Sequence, residues 1–196
     1  MNILVIKSSV FGDNGNSSSL VNSQLAALQA QHPDATVVVR DLSTDPIPHL
    51  DGERVGAFFT PADQRSDDQQ AVDAFSMALI DELKTADHIV LGLPMYNFGI
   101  PSQLKSWIDH VARAGITFRY TENGPQGLLD DKPVTVLAAR GGLYAGTEND
   151  TVTPYIKLFF RFIGITDVNF VYAEGLNMGD ETKEKAMSEA QAALAG

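Results

Sequence analysis

Residues 91–98, LGLPMYNF, join a short apolar run to four side chains that could hold a flat ligand. The apolar run over residues 89–93 is typical of a parallel strand that is buried on both faces. Pro94 has no N–H group, so it should turn the chain out at the carboxyl end of that strand, where open α/β sheets bind ligands. A thioether, two rings and an amide at that point suit an aromatic heterocycle, although the rings could instead only cover the top of the core. The residues concerned are Met95, Tyr96, Asn97 and Phe98.

A second candidate site follows the first apolar run, Asn2–Lys7. Seven small or turn-forming residues lie between Gly12 and Ser18, and a helical pattern begins directly after them. Serine hydroxyls and the unpaired N–H groups of a helix N-terminus bind phosphate, although a plain serine N-cap is the alternative. The loop contains neither G-x-G-x-x-G nor G-x-x-x-x-G-K-[ST], so a mononucleotide suits it better than a dinucleotide.

Two adjacent glycines, Gly141 and Gly142, follow the apolar run Val134–Ala139. Glycines at the carboxyl end of a strand allow a ligand to approach the backbone closely. Their N–H groups could stabilise the negative charge that appears on a heterocycle when it is reduced, and Tyr144 could add a phenol donor. The alternative is a tight turn between a strand and a helix.

The composition narrows the classes of protein and of chemistry. Of 196 residues, 44% are hydrophobic, so the chain can build one core, and we expect a single domain over residues 1–196. Cysteine is absent, which excludes disulfides, thiol catalysis and cysteine-bound iron–sulfur or zinc centres, so redox chemistry would need a bound organic cofactor. A net charge of −11 argues against nucleic acid as a partner. Because we find neither an apolar run of membrane-spanning length nor an export signal, we expect a cytoplasmic protein without a membrane partner.

Apolar runs alternate with helical patterns along the chain. Stripes such as Val21, Leu25 and Leu28 predict helices between five strand-like runs, and Gly164 is expected to end the fourth helix. Five strands that alternate with five helices imply a flavodoxin-like doubly wound α/β fold. Its five-stranded parallel sheet should have the order 2-1-3-4-5, with helices on both faces. The predicted strands cover Asn2–Lys7, 36–40, 88–93, Val134–Ala139 and 167–172.

Two segments are longer than a minimal sheet requires, namely residues 43–65 and 116–132. Long loops within a compact domain are usually functional or interfacial. The first segment carries Phe58 and Phe59, whose rings would contact a partner or a substrate if they are exposed. The alternative is that both rings fold back onto the core of their own chain.

The segment 94–128, PMYNFGIPSQLKSWIDHVARAGITFRYTENGPQGL, closely resembles the FMN-dependent NADH azoreductases, a branch of the flavodoxin-like quinone reductases. The similarity extends along essentially the whole chain. It includes KSS at 7–9, RDL at 40–42, LDGERVGA at 50–57, RGG at 140–142 and FIGITDVNFVYAEG at 162–175.

The resemblance implies roles for individual residues. Some of them would hold the ribityl phosphate of FMN and others would contact its isoalloxazine ring, while four aromatic residues, which we name the aromatic wall, would line the substrate slot in a homodimer with flavin sites at the interface. The positions of Ala139, Phe59 and Tyr144 vary between family members, which leaves the choice of NADH or NADPH and the range of acceptors open. The predicted cofactor-binding residues are Ser9, Gly15, Asn16, Ser17, Met95, Tyr96, Asn97, Phe98, Ala139, Arg140, Gly141, Gly142 and Tyr144. The aromatic wall consists of Phe59, Phe118, Tyr120 and Phe162.

The resemblance also implies an activity, that of an FMN-dependent NAD(P)H:quinone oxidoreductase or azoreductase. Two electrons would pass as a hydride from NADH or NADPH to bound FMN, and then to a quinone or an azo compound in a ping-pong cycle. Because the cofactor carries the chemistry, we expect no catalytic acid–base side chain and no metal. The alternatives are a flavodoxin-type one-electron carrier and a non-catalytic FMN-binding protein.

Overall fold

A five-stranded parallel sheet forms the centre of the computed structural model, which describes residues 1–194. The strand order is β2-β1-β3-β6-β7, and a separate antiparallel hairpin is made of β4 and β5. The predicted flavodoxin-like fold and strand order are therefore confirmed, because β6 and β7 are the fourth and fifth strands of the sheet. The strands are β1 (Asn2–Lys7), β2 (Thr36–Asp41), β3 (His88–Pro94), β4 (Phe118–Thr121), β5 (Gly124–Gly127), β6 (Val134–Ala139) and β7 (Val168–Ala173).

Helices cover both faces of the sheet, and two hydrophobic cores result. Leu4 and Ile6 of β1 contribute to the core under α3, α4 and α5, whereas Ile3 and Val5 contribute to the core under α1 and α6. This alternation follows from the two-residue side-chain period of a strand. Within residues 1–194, no helix is both long enough and apolar enough to cross a membrane. The helices are α1 (Asn16–Gln31), α2 (Gly52–Phe59), α3 (Asp67–Thr85), α4 (Ser102–Val111), α5 (Val152–Ile163) and α6 (Asp180–Leu194).

The structure adds two elements to the predicted set, the helix α2 and the hairpin β4–β5. Asp51 caps α2 by accepting a hydrogen bond of 2.9 Å from the N–H of Arg54. This helix contains Gly52 and Gly56 within only eight residues and buries only Ala57 completely, so helix propensity does not mark it in the sequence. The sequence predicts that the strand ends before Pro94, which turns the chain out of the sheet. Pro94 is instead the last residue of β3 and lies opposite Ala139 of β6.

Gly164 ends α5 in the left-handed region, with φ of 110°, as its place after the helical stripe predicts. The backbone there is crowded as well as unusual, because a Cβ atom would lie 2.5 Å from the carbonyl oxygen of Leu129. Gly146 also has positive φ, at 75°, but a Cβ atom there would have nothing within 4 Å. The two glycines thus separate the effect of backbone conformation from that of close packing.

We expect Gly164→Ala to lower the free energy of unfolding by clearly more than Gly146→Ala does. Both substitutions place a side chain at positive φ, which costs about 1–2 kcal/mol. Only the first also forces the loop that carries Leu129 away from α5. Urea denaturation of the two variants beside the wild type measures the difference, and equal losses would contradict the crowding argument.

Candidate functional site

A cleft opens where β1, β3 and β6 end, at the carboxyl edge of the sheet. We name it the strand-end cleft. Three of the loops that line it are those singled out in the sequence, and a fourth follows β7. Its lining consists of Ser9, Phe11, Gly15, Asn16, Ser17, Pro94, Met95, Tyr96, Ala139, Arg140, Gly141, Leu176 and Asn177.

Close packing of the first loop shapes one end of the strand-end cleft. The hydroxyl of Ser9 accepts a hydrogen bond of 3.2 Å from the N–H of Phe11 and lies 3.3 Å from the hydroxyl of Tyr96. A Cβ atom at Gly15 would lie only 2.2 Å from Ser9 Oγ, so the turn before α1 closes only with glycine. The loop after β1 and the loop after β3 therefore meet at a single hydroxyl.

The first turn of α1 has polar groups with no partner in the described part of the chain. Gly15 is its N-cap and cannot offer a side chain to the free N–H groups of that turn. The hydroxyls of Ser17 and Ser18 are unpartnered although both residues are only 1% exposed. Buried hydroxyls without partners are unfavourable, and the positive end of the helix dipole lies beside them. The phosphate of FMN fits this arrangement, because an anion there would accept hydrogen bonds from these groups.

The loop after β3 forms a strained turn at the rim of the strand-end cleft. Asn97 and Phe98 have φ of 49° and 61°, values that side chains other than glycine rarely adopt. The N–H and C=O groups of Tyr96 and Gly99 hydrogen-bond to each other on both sides of the turn, at 3.0 and 2.9 Å. Strain of this kind persists only where the surrounding structure imposes it, and it concentrates at ligand sites.

Arg140 is buried and its guanidinium contacts protein groups. Its two terminal nitrogens donate to Glu174, at 3.2 Å, to Asp150, at 2.8 Å, and to the hydroxyl of Thr153, at 2.7 Å. The side chain is 1% exposed, so its ionic partners balance a charge that would otherwise be strongly desolvated. The backbone N–H and C=O of Arg140 are also bonded, to Ala173 at 2.9 Å and to Leu176 at 3.1 Å, so among its polar groups only the buried Nε lacks a partner in the described residues.

Glu174 organises the loop after β6. One of its carboxylate oxygens accepts hydrogen bonds of 2.9 Å from the N–H groups of Tyr144 and Ala145 as well as the bond from Arg140. The pKa of the nearby Asp150 responds to the same arginine. Burial tends to raise that pKa, but the hydrogen bonds from Arg140 and Thr153 outweigh burial and lower it. Asp150 thus stays ionised at neutral pH, and its bonds to Arg140 and Thr153 help to hold this part of the chain in place.

The structure brings nine of the thirteen predicted cofactor-binding residues together in the strand-end cleft. Phe98 instead lines a neighbouring cavity with Ile100 and Tyr155, and its ring packs edge-on against Tyr144 at 5.6 Å between centroids. The remaining residues outside the lining are Asn97, Gly142 and Tyr144.

Asn177 is a cleft residue that the sequence reasoning missed. Its side-chain nitrogen lies 2.5 Å from where a Cβ atom of Gly141 would be, so that glycine accommodates Asn177. Gly141 also lines the strand-end cleft, so the close approach of a ligand to its backbone stays a prediction. Asn177 and Leu176 both follow the carboxyl end of β7. Because ligands bind at the carboxyl ends of parallel strands, this position in the sequence could have identified both residues.

The aromatic wall lies away from the strand-end cleft. Phe118 packs against Phe162 at 4.2 Å between ring centroids and against Tyr120 at 5.5 Å. The N-terminal turn of α5 contacts Arg140 through Thr153, whereas Phe162 lies nine residues further along, about 14 Å at the helical rise of 1.5 Å per residue. Within one chain, the aromatic wall therefore lies apart from the predicted cofactor-binding residues of the strand-end cleft.

Comparison with known proteins gives a consistent result. The family model Flavodoxin_2, described as a flavodoxin-like fold, matches residues 1–196. An FMN-dependent NADH:quinone oxidoreductase from Alcanivorax borkumensis is 82% identical over 194 residues, which are 99% of this chain and 98% of that protein. The crystal structure of an azoreductase from Bacillus anthracis is similar with a TM-score of 0.90 and 28% identity, covering 100% of this chain and 97% of that one. A second structure from that species, an FMN-dependent NADH-azoreductase in complex with FMN, gives 0.88 and 28%, covering 99% and 97%.

We expect Ser17→Ala to raise the dissociation constant for FMN by about tenfold or more, because a hydrogen bond to a charged group is lost. The dissociation constant for riboflavin, which has no phosphate, should stay unchanged. The apoprotein should lose no stability, since the deleted hydroxyl has no partner in it. Titrations followed by flavin fluorescence, with urea denaturation of the apoprotein, measure all three quantities.

Ser23→Ala is the matched control, because Ser23 lies on the same helix with its hydroxyl bonded to the carbonyl of Ser19 at 3.2 Å. It should leave FMN affinity unchanged. Equal weakening of FMN and riboflavin by Ser17→Ala would contradict the assignment of a phosphate to this turn.

Proposed function

This chain belongs to the family of flavodoxin-like proteins that includes the FMN-dependent NADH:quinone oxidoreductases and azoreductases, and from that premise we propose that it is an FMN-dependent enzyme that oxidises NADH and reduces quinones. The observation that carries the proposal is the pair of buried, unpartnered hydroxyls of Ser17 and Ser18 at the N-terminus of α1. Ser17 lines the strand-end cleft, whose other lining includes Met95 and Tyr96, and Ser18 is the next residue of the same helical turn.

When bound, FMN supplies the redox chemistry, accepting a hydride from NADH and passing two electrons to an acceptor. The chain's own residues orient and polarise it. Met95 and Tyr96 offer apolar and aromatic contact to a flat ring. Among the described residues, the N–H groups of Gly141 and Gly142 have no hydrogen-bond acceptor, so they are free to donate to an electron-rich ring edge. Such donors favour negative charge at that edge without any proton transfer by a side chain.

We propose that the active unit is a homodimer. The aromatic wall lies near the end of α5 that is remote from the strand-end cleft, so its rings cannot cover a flavin in the same chain. In a symmetric dimer, the wall of one subunit can reach the strand-end cleft of the other. Phe59 and Tyr120 are strongly exposed in the single chain, which is expected of rings that a partner covers.

The proposed substrate slot has one flat ring as its floor and the aromatic wall of the partner as its cover. Such a slot holds one planar molecule at a time, so NADH must leave before the acceptor enters, and turnover should be ping-pong. Quinones and azo compounds both meet the requirement, being planar and electron-poor. NADPH is a candidate electron donor beside NADH. We propose the cytoplasm as the compartment, because NADH is a metabolite of the cell interior.

We expect the purified, FMN-loaded protein to lose its flavin absorbance within seconds when NADH is added without oxygen. A benzoquinone added afterwards should restore the absorbance. Repeating the reaction with NADPH identifies the preferred donor. Tight FMN binding without bleaching would contradict the proposed enzyme and favour a carrier or a binding protein.

Mixing two inactive variants tests the composite site. Ser17→Asp should repel the phosphate and abolish FMN binding, and Tyr120→Asp should damage the aromatic wall at a residue that is 75% exposed. After random re-association, about half of the dimers are mixed and each of these has one intact site, so we expect roughly a quarter of wild-type activity. The unmixed variants are the controls, and their folding is checked by circular dichroism. No recovery in confirmed mixed dimers would contradict a site shared between subunits.

A further inference from the structure

One carboxylate, that of Asp73 on α3, binds two arginines that come from different parts of the chain. Its Oδ2 accepts a hydrogen bond of 2.6 Å from Arg65, and its Oδ1 accepts one of 2.6 Å from Arg113. The side chains are largely buried, with Arg113 only 4% exposed. Charge-assisted bonds of this length in a shielded place are strong and directional. Asp73 therefore fixes the relative position of the two segments that carry these arginines.

Arg65 connects Asp73 to the end of α2. Its Nε donates to the carbonyl of Ala57 at 3.1 Å and to that of Thr60 at 3.0 Å. These carbonyls belong to the last turn of the helix, where they lack intrahelical partners. Phe59 lies in that turn, so the Asp73–Arg65 pair holds the segment that carries it against α3.

Arg113 connects Asp73 to the segment before the β4–β5 hairpin. Its guanidinium lies 3.7 Å from the centroid of the Phe58 ring and donates to Ser76 at 2.8 Å. The carbonyl of Arg113 accepts from the N–H of Thr117 at 2.9 Å, and the hydroxyl of Thr117 accepts from the N–H of Arg113 at 2.9 Å. This double link fixes the turn that leads directly into Phe118.

The two segments held by Asp73 both line one cavity of about 260 Å³. Leu50, Val55, Phe58 and Phe59 line it from the side of α2, and Ala112, Arg113, Ala114 and Phe118 from the other, with Asp109. Two members of the aromatic wall, Phe59 and Phe118, thus face the same space. The distance between them depends on how both segments are attached to α3.

We propose that Asp73 is a positioning residue for the acceptor: through Arg65 and Arg113, its carboxylate sets the spacing between Phe59 and Phe118, and so the arrangement of the rings that cover a planar acceptor. This inference rests on the proposed function, because it takes the aromatic wall as part of the substrate slot. Asp73 does not line that cavity itself, so its effect must pass through the two arginines.

The same helix provides a matched control. Glu82 of α3 binds Arg40 of β2 through both carboxylate oxygens, and both side chains are about as buried as Asp73. Neither residue lines the cavity between α2 and the hairpin. Glu82→Gln therefore removes a comparable arginine pair without touching the segments that carry the aromatic wall.

We expect Asp73→Asn in the FMN-loaded full chain to raise the dissociation constant of the oxidised protein for a benzoquinone by about tenfold, in the range that coupled residues of one network show. Without NADH there is no turnover, and perturbation of the flavin absorbance reports binding. The Michaelis constant for the quinone should rise in parallel, while kcat and the dissociation constant for FMN should change by less than about twofold. Arg65→Ala, which keeps the Asp73–Arg113 pair, should give the same pattern with less effect on folding.

Three outcomes decide the matter. The positioning role is supported if Glu82→Gln lowers stability without changing quinone affinity. It also requires that the double variant Phe59→Ala, Asp73→Asn binds the quinone no more weakly than Phe59→Ala alone. A loss of stability in Asp73→Asn and Arg65→Ala with unchanged quinone affinity would overturn the positioning role. A wild-type protein that neither binds the quinone nor bleaches with NADH would overturn the proposed function and this inference with it.

Discussion

The unsatisfied first turn of α1 is the constraint on which the carboxyl edge of the sheet depends. A capping side chain in place of Gly15 would stabilise the helix by only about a few tenths of a kcal/mol, and a Cβ atom there would meet Ser9. The first turn of α1 thus keeps free N–H groups and the unpartnered hydroxyls of Ser17 and Ser18, and Ser17 lines the strand-end cleft with Ser9 and Tyr96. An anion bound there would accept the hydrogen bonds that these groups lack within the chain, so its binding would stabilise the folded state.

Much of the fold could be predicted because its signals are local. The apolar runs of β1, β3 and β6 are short and continuous, and the stripe of α5 ends at Gly164, which has the expected left-handed conformation. The helix α2 and the hairpin β4–β5 could not be predicted in this way. The first includes two glycines and depends on Arg65 bonding its last carbonyls, and the second pairs Gly124 and Gly127 with β4. Both also pack against other elements of the chain, α2 against α3 and β5 against α5.

The location of the candidate site could also be predicted, since the carboxyl ends of neighbouring parallel strands must meet. The direction of each side chain could not. Arg140 has the residue type of an anion ligand, yet its terminal nitrogens bind Glu174 and Asp150, and Gly141 makes room for Asn177. Such outcomes depend on which groups of other elements lie within hydrogen-bond distance in the folded chain, and no spacing along the sequence encodes that.

Two arginine–carboxylate clusters raise the same energetic question. Buried ion pairs add little net stability relative to well-packed apolar groups, so stability alone does not explain Arg140 with Glu174 and Asp150, or Asp73 with Arg65 and Arg113. Each cluster instead ties a loop to a rigid element, the first beside the strand-end cleft and the second beside the aromatic wall. Apolar replacements would fill the volume but would not fix loop direction, because dispersion contacts are not directional and charge-assisted hydrogen bonds are. In the proposed homodimer, the two halves of a shared slot would then each be held within their own chain, and association would only bring together parts that are already in place.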